Sequence, residues 1–188
     1  MKGGGFAKIA VRLALAAMAL VPFVASADPA AWIHIDTGKG SLKVLDGERV
    51  LFEAPDIAVG RGGTSRSRMR GDQTTPLGDF RVVEVRDRAY FHRFFVLDYP
   101  NRERARSALA AGQIDGPTFD RISRAVEQGR MPPQNTALGG NIGIHGLGRG
   151  DPVVHEHFNW TQGCIALTNE EIDSLARWVR VGTRVVID

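Results

Sequence analysis

The chain has one cysteine, Cys164, among its 188 residues, and a histidine, His145, stands nineteen positions before it. An ordinary thiol, with a pKa of ~8.5, is mostly protonated near neutral pH; an imidazole beside it lowers that value and accepts the proton. Cys164 follows Gly163 where a turn enters the apolar run Ile165-Ala166-Leu167, and His145 closes the run Ile142-Gly143-Ile144 just before Gly146. A glycine at that place leaves the amides of Gly163 and Cys164 unobstructed toward an oxyanion. Such a set of groups suits acyl transfer through a thioester. The intervening segment is rich in glycine and polar residues (Gly148, Gly150, Asp151, Pro152, Asn159) and can double back, so that the two runs lie as neighbouring strands. A lone cysteine has two other roles open to it, a buried structural thiol or an intermolecular bridge.

Bringing the pair together requires a sheet. Residues 31–37 alternate apolar and polar, as a half-buried strand does. Gly38-Lys39-Gly40 turns into a strand over 41–45, Asp46-Gly47 turns into another over 49–53, and 56–59 adds a fourth, at the spacing of an all-β meander. A loop over 60–78, rich in Gly and Arg, ends in Thr74-Thr75-Pro76-Leu77-Gly78 and leads to strands at 79–85 and 92–97. Residues 102–111 and 117–128 have helical character, with Gly112 and Gly129 as stops. This insertion, about 102–130, is either a lid over the cleft or a structural cap. Strands return at 141–145 and 163–167. Thr168 and Glu171 form a capping box for a helix running to about 181, with Ile172, Leu175, Ala176 and Val179 on one face, and 183–187 is a final strand.

Lys2, Lys8 and Arg12 precede an apolar run over 13–24, and Ala25-Ser26-Ala27 has the small-x-small pattern of a cleavage site. Residues 1–27 therefore read as a secretory signal peptide, too short in its apolar part for a mature anchor. The mature chain would be exported to the periplasm and would form one domain over 28–188, with no membrane anchor after cleavage. The net charge of +3 resides in that leader; beyond it basic and acidic residues balance at 21 each. No basic stripe remains to argue for nucleic acid.

Other candidates surround the pair. His155 and His157 are metal-ligand types, but with His145 and Cys164 they give the spacing H-x9-H-x-H-x6-C, which fits no zinc pattern. They read instead as part of a polar loop rimming the cleft. Trp160 reads as a wall residue able to stack on a substrate and shield the thiolate. Arg61, Arg66, Arg68 and Arg70 read as a solvated loop face, with attraction to peptide carboxylates as the functional alternative.

The segments His145-Gly146 and Thr161-Gln162-Gly163-Cys164-Ile165 resemble, in type and spacing, the motif of the L,D-transpeptidase catalytic domain family (the YkuD fold). Gly60-Arg61-Gly62-Gly63, Thr75-Pro76-Leu77-Gly78-Asp79-Phe80 and Tyr99-Pro100-Asn101 are similar to upstream segments of that family, and the resemblance runs from about Trp32 to Asp188. It implies a mainly β, sandwich- or barrel-like domain with a helical insertion and one helix after the nucleophile strand. It further implies a cell-wall enzyme acting on peptidoglycan stem peptides without metal or organic cofactor. By the same resemblance Cys164 is the nucleophile, His145 the base, the Gly146 carbonyl the orienter of the imidazole, and the Gly163 and Cys164 amides the oxyanion hole. Thr161 is expected to support the turn or the substrate, and Trp160, Gln162 and Tyr99 are expected at the substrate. Two positions depart from the common pattern: Gln162 stands where many members have His, and Ala166 where many have Arg. The variant resembles a subgroup whose members include hydrolases that release a wall-attached protein. Transfer to an amine, hydrolysis by the same acyl-enzyme, and a non-catalytic wall-peptide binding module are the readings left open.

Overall fold

The structure, a computed structural model, describes Met1 and residues 31–188. The leader expected over 1–27 lies, Met1 apart, outside the described residues. Three strands, β1 (Trp32–Asp36), β2 (Ser41–Asp46) and β3 (Arg49–Ala54), form consecutive antiparallel hairpins. The alternation of β1 sends Ile33 and Ile35 fully into the core. Two short strands, β4 (Thr64–Ser65) and β5 (Thr75–Pro76), pair in parallel and brace the loop between β3 and the long β6 (Gly78–Ala89). β6 turns into β7 (His92–Leu97), whose Phe94, Phe95, Val96 and Leu97 are all buried because the sheet continues on both of its sides.

Two helices follow, α1 (Arg102–Ala110), capped by Asn101, and α2 (Gly116–Glu127), capped by Asp115 with a proline in its first turn. They pack around their own small core of Ala105, Ala108, Ile114, Ile122 and Leu138. The insertion thus has an apolar centre of its own. β8 (Gly143–Gly146), α3 (Pro152–His157), β9 (Ile165–Leu167), α4 (Asn169–Leu175) and β10 (Arg184–Ile187) complete the chain.

The strand order is β3-β2-β1-β10-β6-β7-β8-β9, one eight-stranded mixed sheet. This differs from a simple meander at two places: β10 inserts between β1 and β6, parallel to β1, and β9 lies parallel to β8. The expected strand at 56–59 is a pair of bridges instead. Ala58 exchanges both main-chain hydrogen bonds with Ala166 in β9, and Gly60 bridges to Thr161. Ala58 lies only four positions beyond the end of β3, a reach of at most about 14 Å. The two outer strands of the sheet are therefore drawn toward each other, and the sheet is curled into a barrel-like form. The expected helix to about 181 ends at Leu175, after Ile172 and Leu175 have met the core. Its capping box is present in both directions: Glu171 N–H to Thr168 Oγ1 at 3.2 Å and Thr168 N–H to Glu171 Oε2 at 2.9 Å. Thr168→Ala removes the first of these, with the Thr168 Oγ1–H bond to Glu171 Oε2, leaves the main-chain bond in place, and should lower stability by about 1 kcal/mol in a denaturant titration.

Candidate active site

Parallel pairing sets Ile144 opposite Ile165 and His145 opposite Ala166. Side chains alternate across a strand, so Cys164, two residues before Ala166, projects on the same face as His145. The opposite face carries Ile144, Ile165 and Phe95 into the main core. Thiol and imidazole thus share the face turned away from the core. Gly143, opposite the cysteine, admits no larger residue: a Cβ there would lie 2.3 Å from Phe95 O and 2.9 Å from the Phe94 ring.

His145 is 2% exposed. Its Nδ1 lies 2.7 Å from Gly146 O. A carbonyl only accepts, so Nδ1 carries the proton and Nε2 is left with a free lone pair. Three aromatic rings enclose the imidazole. Phe91 stacks on it at 4.3 Å between centroids, Phe94 tilts against it at 5.7 Å, and Trp160 meets it edge-on at 5.8 Å. Burial pushes the imidazole down to about 4, only partly opposed by the Gly146 carbonyl. Phe91 comes from the tip of the β6–β7 hairpin, pressed against Gly148, where a Cβ would come within 2.7 Å of Tyr90 O. Replacing Phe91 with Ala should admit water to His145 and raise its pKa from about 4 toward the ordinary 6.5, readable by NMR titration of the ring.

Cys164 is half-buried, and its Sγ–H donates to Asn141 O at 3.3 Å. Burial pushes the thiol up to about 11, against smaller opposing effects of the Gly143 amide and the Arg68 guanidinium. At neutral pH the resting pair is therefore a neutral thiol and a neutral imidazole. The turn before it is closed by Thr161, whose hydroxyl donates to Cys164 O at 2.7 Å and accepts the Gly163 amide at 3.1 Å. Thr161, 3% exposed, supports the turn and does not face a substrate. The expectation that the Gly163 amide points at an oxyanion is corrected: that amide is committed to Thr161. Gly163 is needed for its shape, a φ of +120°.

A cleft of about 350 Å³ is lined by Arg68, Arg70, Gln73, Gln134, Asn141 and Gln162; neither Cys164 nor His145 lines it, and its link to the thiol is Asn141, whose carbonyl accepts from Sγ. Gln162 is exposed on its wall. A depression of about 390 Å³ at Trp32, Arg81, Arg180 and Arg184 lies on the β1–β10 side and holds neither thiol nor imidazole. Tyr99, also expected at the substrate, is fully buried, with its hydroxyl 3.1 Å from the carbonyls of both Arg68 and Leu138. It supports the floor of the site from inside the core. Arg68 departs from the solvated face expected for the loop arginines: it is 5% exposed and spends its guanidinium on main-chain carbonyls. Arg61, Arg66 and Arg70 are exposed. His155 is not on a polar loop but in α3, buried, where its Nδ1 accepts Trp160 Nε1–H at 3.3 Å. His157 is exposed. Among the described residues no three His, Cys, Asp or Glu side chains gather to hold a metal ion.

Sequence reasoning missed Phe91, His155 and the buried state of Arg68. An aromatic pair, Tyr90-Phe91, at a hairpin tip was the available signal for the first; the other two depend on contacts far along the chain.

The YkuD L,D-transpeptidase catalytic domain model matches residues 30–187. No curated protein is similar enough in sequence to count as a relative. Among solved structures, the helical cell shape determining protein Pgp2 from Campylobacter jejuni superposes with a TM-score of 0.57 at 22% identity, over 85% of this chain and 47% of that one. Bd1075 from Bdellovibrio bacteriovorus gives 0.53 at 20% identity, over 84% and 47%. The L,D-transpeptidase (residues 123–326) from Xylanimonas cellulosilytica gives 0.50 at 18% identity, over 87% and 62%. The chain thus spans about half to three-fifths of the length of these proteins, and the likeness is one of fold. With a mainly β sheet of this topology and a family match over nearly all described residues, the chain belongs to the YkuD L,D-transpeptidase catalytic domain family.

Proposed function

We propose that the protein is an exported cysteine acyltransferase acting on peptidoglycan stem peptides. The observation that carries this reading is the forced tautomer of His145, which leaves Nε2 unprotonated on the face it shares with Cys164. In the first step Sγ attacks a peptide carbonyl while its proton passes to Nε2. The tetrahedral oxyanion collapses, the C–N bond breaks, and the leaving amine takes the proton from Nε2. An acceptor amine then attacks the thioester, gives its proton to Nε2, and releases the new amide as the thiol is re-protonated. The resting pair is neutral, so thiolate and imidazolium exist only as the carbonyl is attacked. Pgp2, a helical cell shape determining protein, makes wall remodelling the fitting context, and residues 1–27 read as the export leader.

Intact-mass spectrometry of the mature protein with purified tetrapeptide muropeptides, wild type beside Cys164→Ala, tests the reading. A Cys164-dependent acyl adduct with cross-linked or exchanged peptides supports transfer. Shortened peptides alone mean that water is the acceptor and the protein is a hydrolase. No adduct from a folded protein with a free thiol means a binding module. Carbapenem-type β-lactams, whose strained carbonyl imitates the substrate's, should give a stoichiometric adduct on Cys164 and none on the Ala variant. Arg70, exposed at the cleft rim, is the group placed to meet a peptide carboxylate. Arg70→Ala should raise KM about fivefold and leave kcat unchanged, since a surface ion pair is worth up to about 1 kcal/mol.

A further inference from the structure

The loop arginine that the sequence assigns to solvent occupies the ground beneath the nucleophile. The Arg68 guanidinium donates through Nε to Thr74 O at 2.8 Å, through Nη1 to Leu138 O at 3.1 Å and through Nη2 to Gln162 O at 3.2 Å. These three carbonyls belong to the loop before β5, the segment leading to β8, and the nucleophile turn. The guanidinium carbon stacks 5.2 Å over the Tyr99 ring. Its space is made by two glycines: a Cβ at Gly139 would stand 2.7 Å from Nη1, and one at Gly163 would stand 3.1 Å from Nε.

Burying a guanidinium is costly unless a counter-charge meets it. Three neutral carbonyls satisfy its donors but do not cancel its charge. Among the described residues no carboxylate forms an ion pair with Arg68 within 4 Å. The acid that feels it, Asp72, is committed to the amides of Met69 and Thr74 and to the Thr74 hydroxyl. The other charged or titratable groups around this floor are Arg104 from α1, which binds the Arg68 carbonyl, exposed Arg70 at the rim, Tyr99, and His145 from β8. The floor therefore has an excess of positive charge directly under the residue that must become anionic.

We propose that Arg68 is the positioning residue of the nucleophile turn, and that its uncompensated buried charge favours the Cys164 thiolate as it forms. The fork holds Gln162 O, and with it the turn, in one arrangement; the charge acts without reorganising, as a preorganised dipole would. The lowering effect of Arg68 on the thiol agrees with this. The proposal rests on Cys164 being the nucleophile, but its test needs no peptide substrate.

The test is the pH profile of iodoacetamide alkylation of Cys164 in the folded mature wild type, Arg68→Gln and Arg68→Lys, with folding checked by circular dichroism. Arg68→Gln should move the profile up by about one pH unit, so that alkylation at pH 8 is about tenfold slower. Arg68→Lys, which keeps charge but cannot hold three carbonyls at once, should keep the wild-type profile and lose about tenfold in the rate of carbapenem acylation. A folded Arg68→Gln protein with a superimposable profile overturns the electrostatic role. An Arg68→Lys protein with the wild-type acylation rate overturns the positioning role. Arg68→Met takes the place of Arg68→Gln if the latter does not fold. A wild type inert to muropeptides and carbapenems would sink the acyl-transfer reading, yet leave the comparison of alkylation profiles intact.

Discussion

His145→Gln will lower the rate constant for acylation by a factor of about 10³, within the range expected for a lost general base, and Cys164 will remain open to alkylation. The glutamine amide can occupy part of the space inside the aromatic enclosure but has no lone pair able to accept the thiol proton. The effect is large because no ion pair exists beforehand. With the thiol near 11 and the imidazole near 4, the attack on carbon and the transfer of the proton must proceed together. The pH profile of wild-type kcat/KM for acylation follows with a definite sign. Only neutral His145 is a base, so the rate falls as pH drops through about 4, and it stays level across the neutral range. In His145→Gln that acid limb disappears. A wild-type limb near 6.5 would mean that the ring is as solvated as a free histidine, contrary to its enclosure by Phe91, Phe94 and Trp160. Stopped-flow measurement of carbapenem acylation between pH 3.5 and 9 reads both outcomes.

Gly163→Ala will slow acylation about a hundredfold by geometry alone. The residue sits at φ +120°, where an L side chain is strained, and an added Cβ would lie 2.5 Å from Thr74 O, a main-chain atom held in place by Arg68. The turn has to move. As it moves, Thr161 loses the Gly163 amide, Gln162 O leaves the Arg68 fork, and Sγ shifts relative to Nε2. A displacement of about 1 Å at a reacting centre is worth about a hundredfold in rate, and the strain itself about 1–3 kcal/mol of stability. Both should appear together: a lower midpoint in denaturant, and acylation slowed about a hundredfold with KM changed much less. Retention of the wild-type acylation rate would show that the turn tolerates several arrangements.

The placement of the candidate pair was legible because it is local. Gly163-Cys164 and His145-Gly146 each sit within a few residues of the strand that fixes them, and the capping box at Thr168 and Glu171 is likewise closed within four residues. Strands such as β1, with Ile33 and Ile35 alternating with polar neighbours, declare themselves by period. What escaped detection was set by distant partners. Arg68 looks like one of four surface arginines until Leu138 and Gln162 supply its acceptors, 70 and 94 residues away. Tyr99 looks like a cleft residue until Arg68 covers its ring. α3 is a single short turn-and-a-half with Val153 and Val154 exposed, so its residues show no apolar period. The neighbours of β10 cannot be read from its own four residues, since an apolar strand pairs equally well with many others.

The place of β10 also governs when the chain can become native. Within the sheet it is β10 that lies between the β1–β3 hairpins and the β6–β9 half, and Ile33 finds its partner in Val185, 152 residues later. Contacts of such long range are formed late and at high loop-closure cost. Until residues 184–187 take their place the chain holds two incomplete half-sheets, and the site, which depends on the sheet being closed, is among the last parts to be assembled.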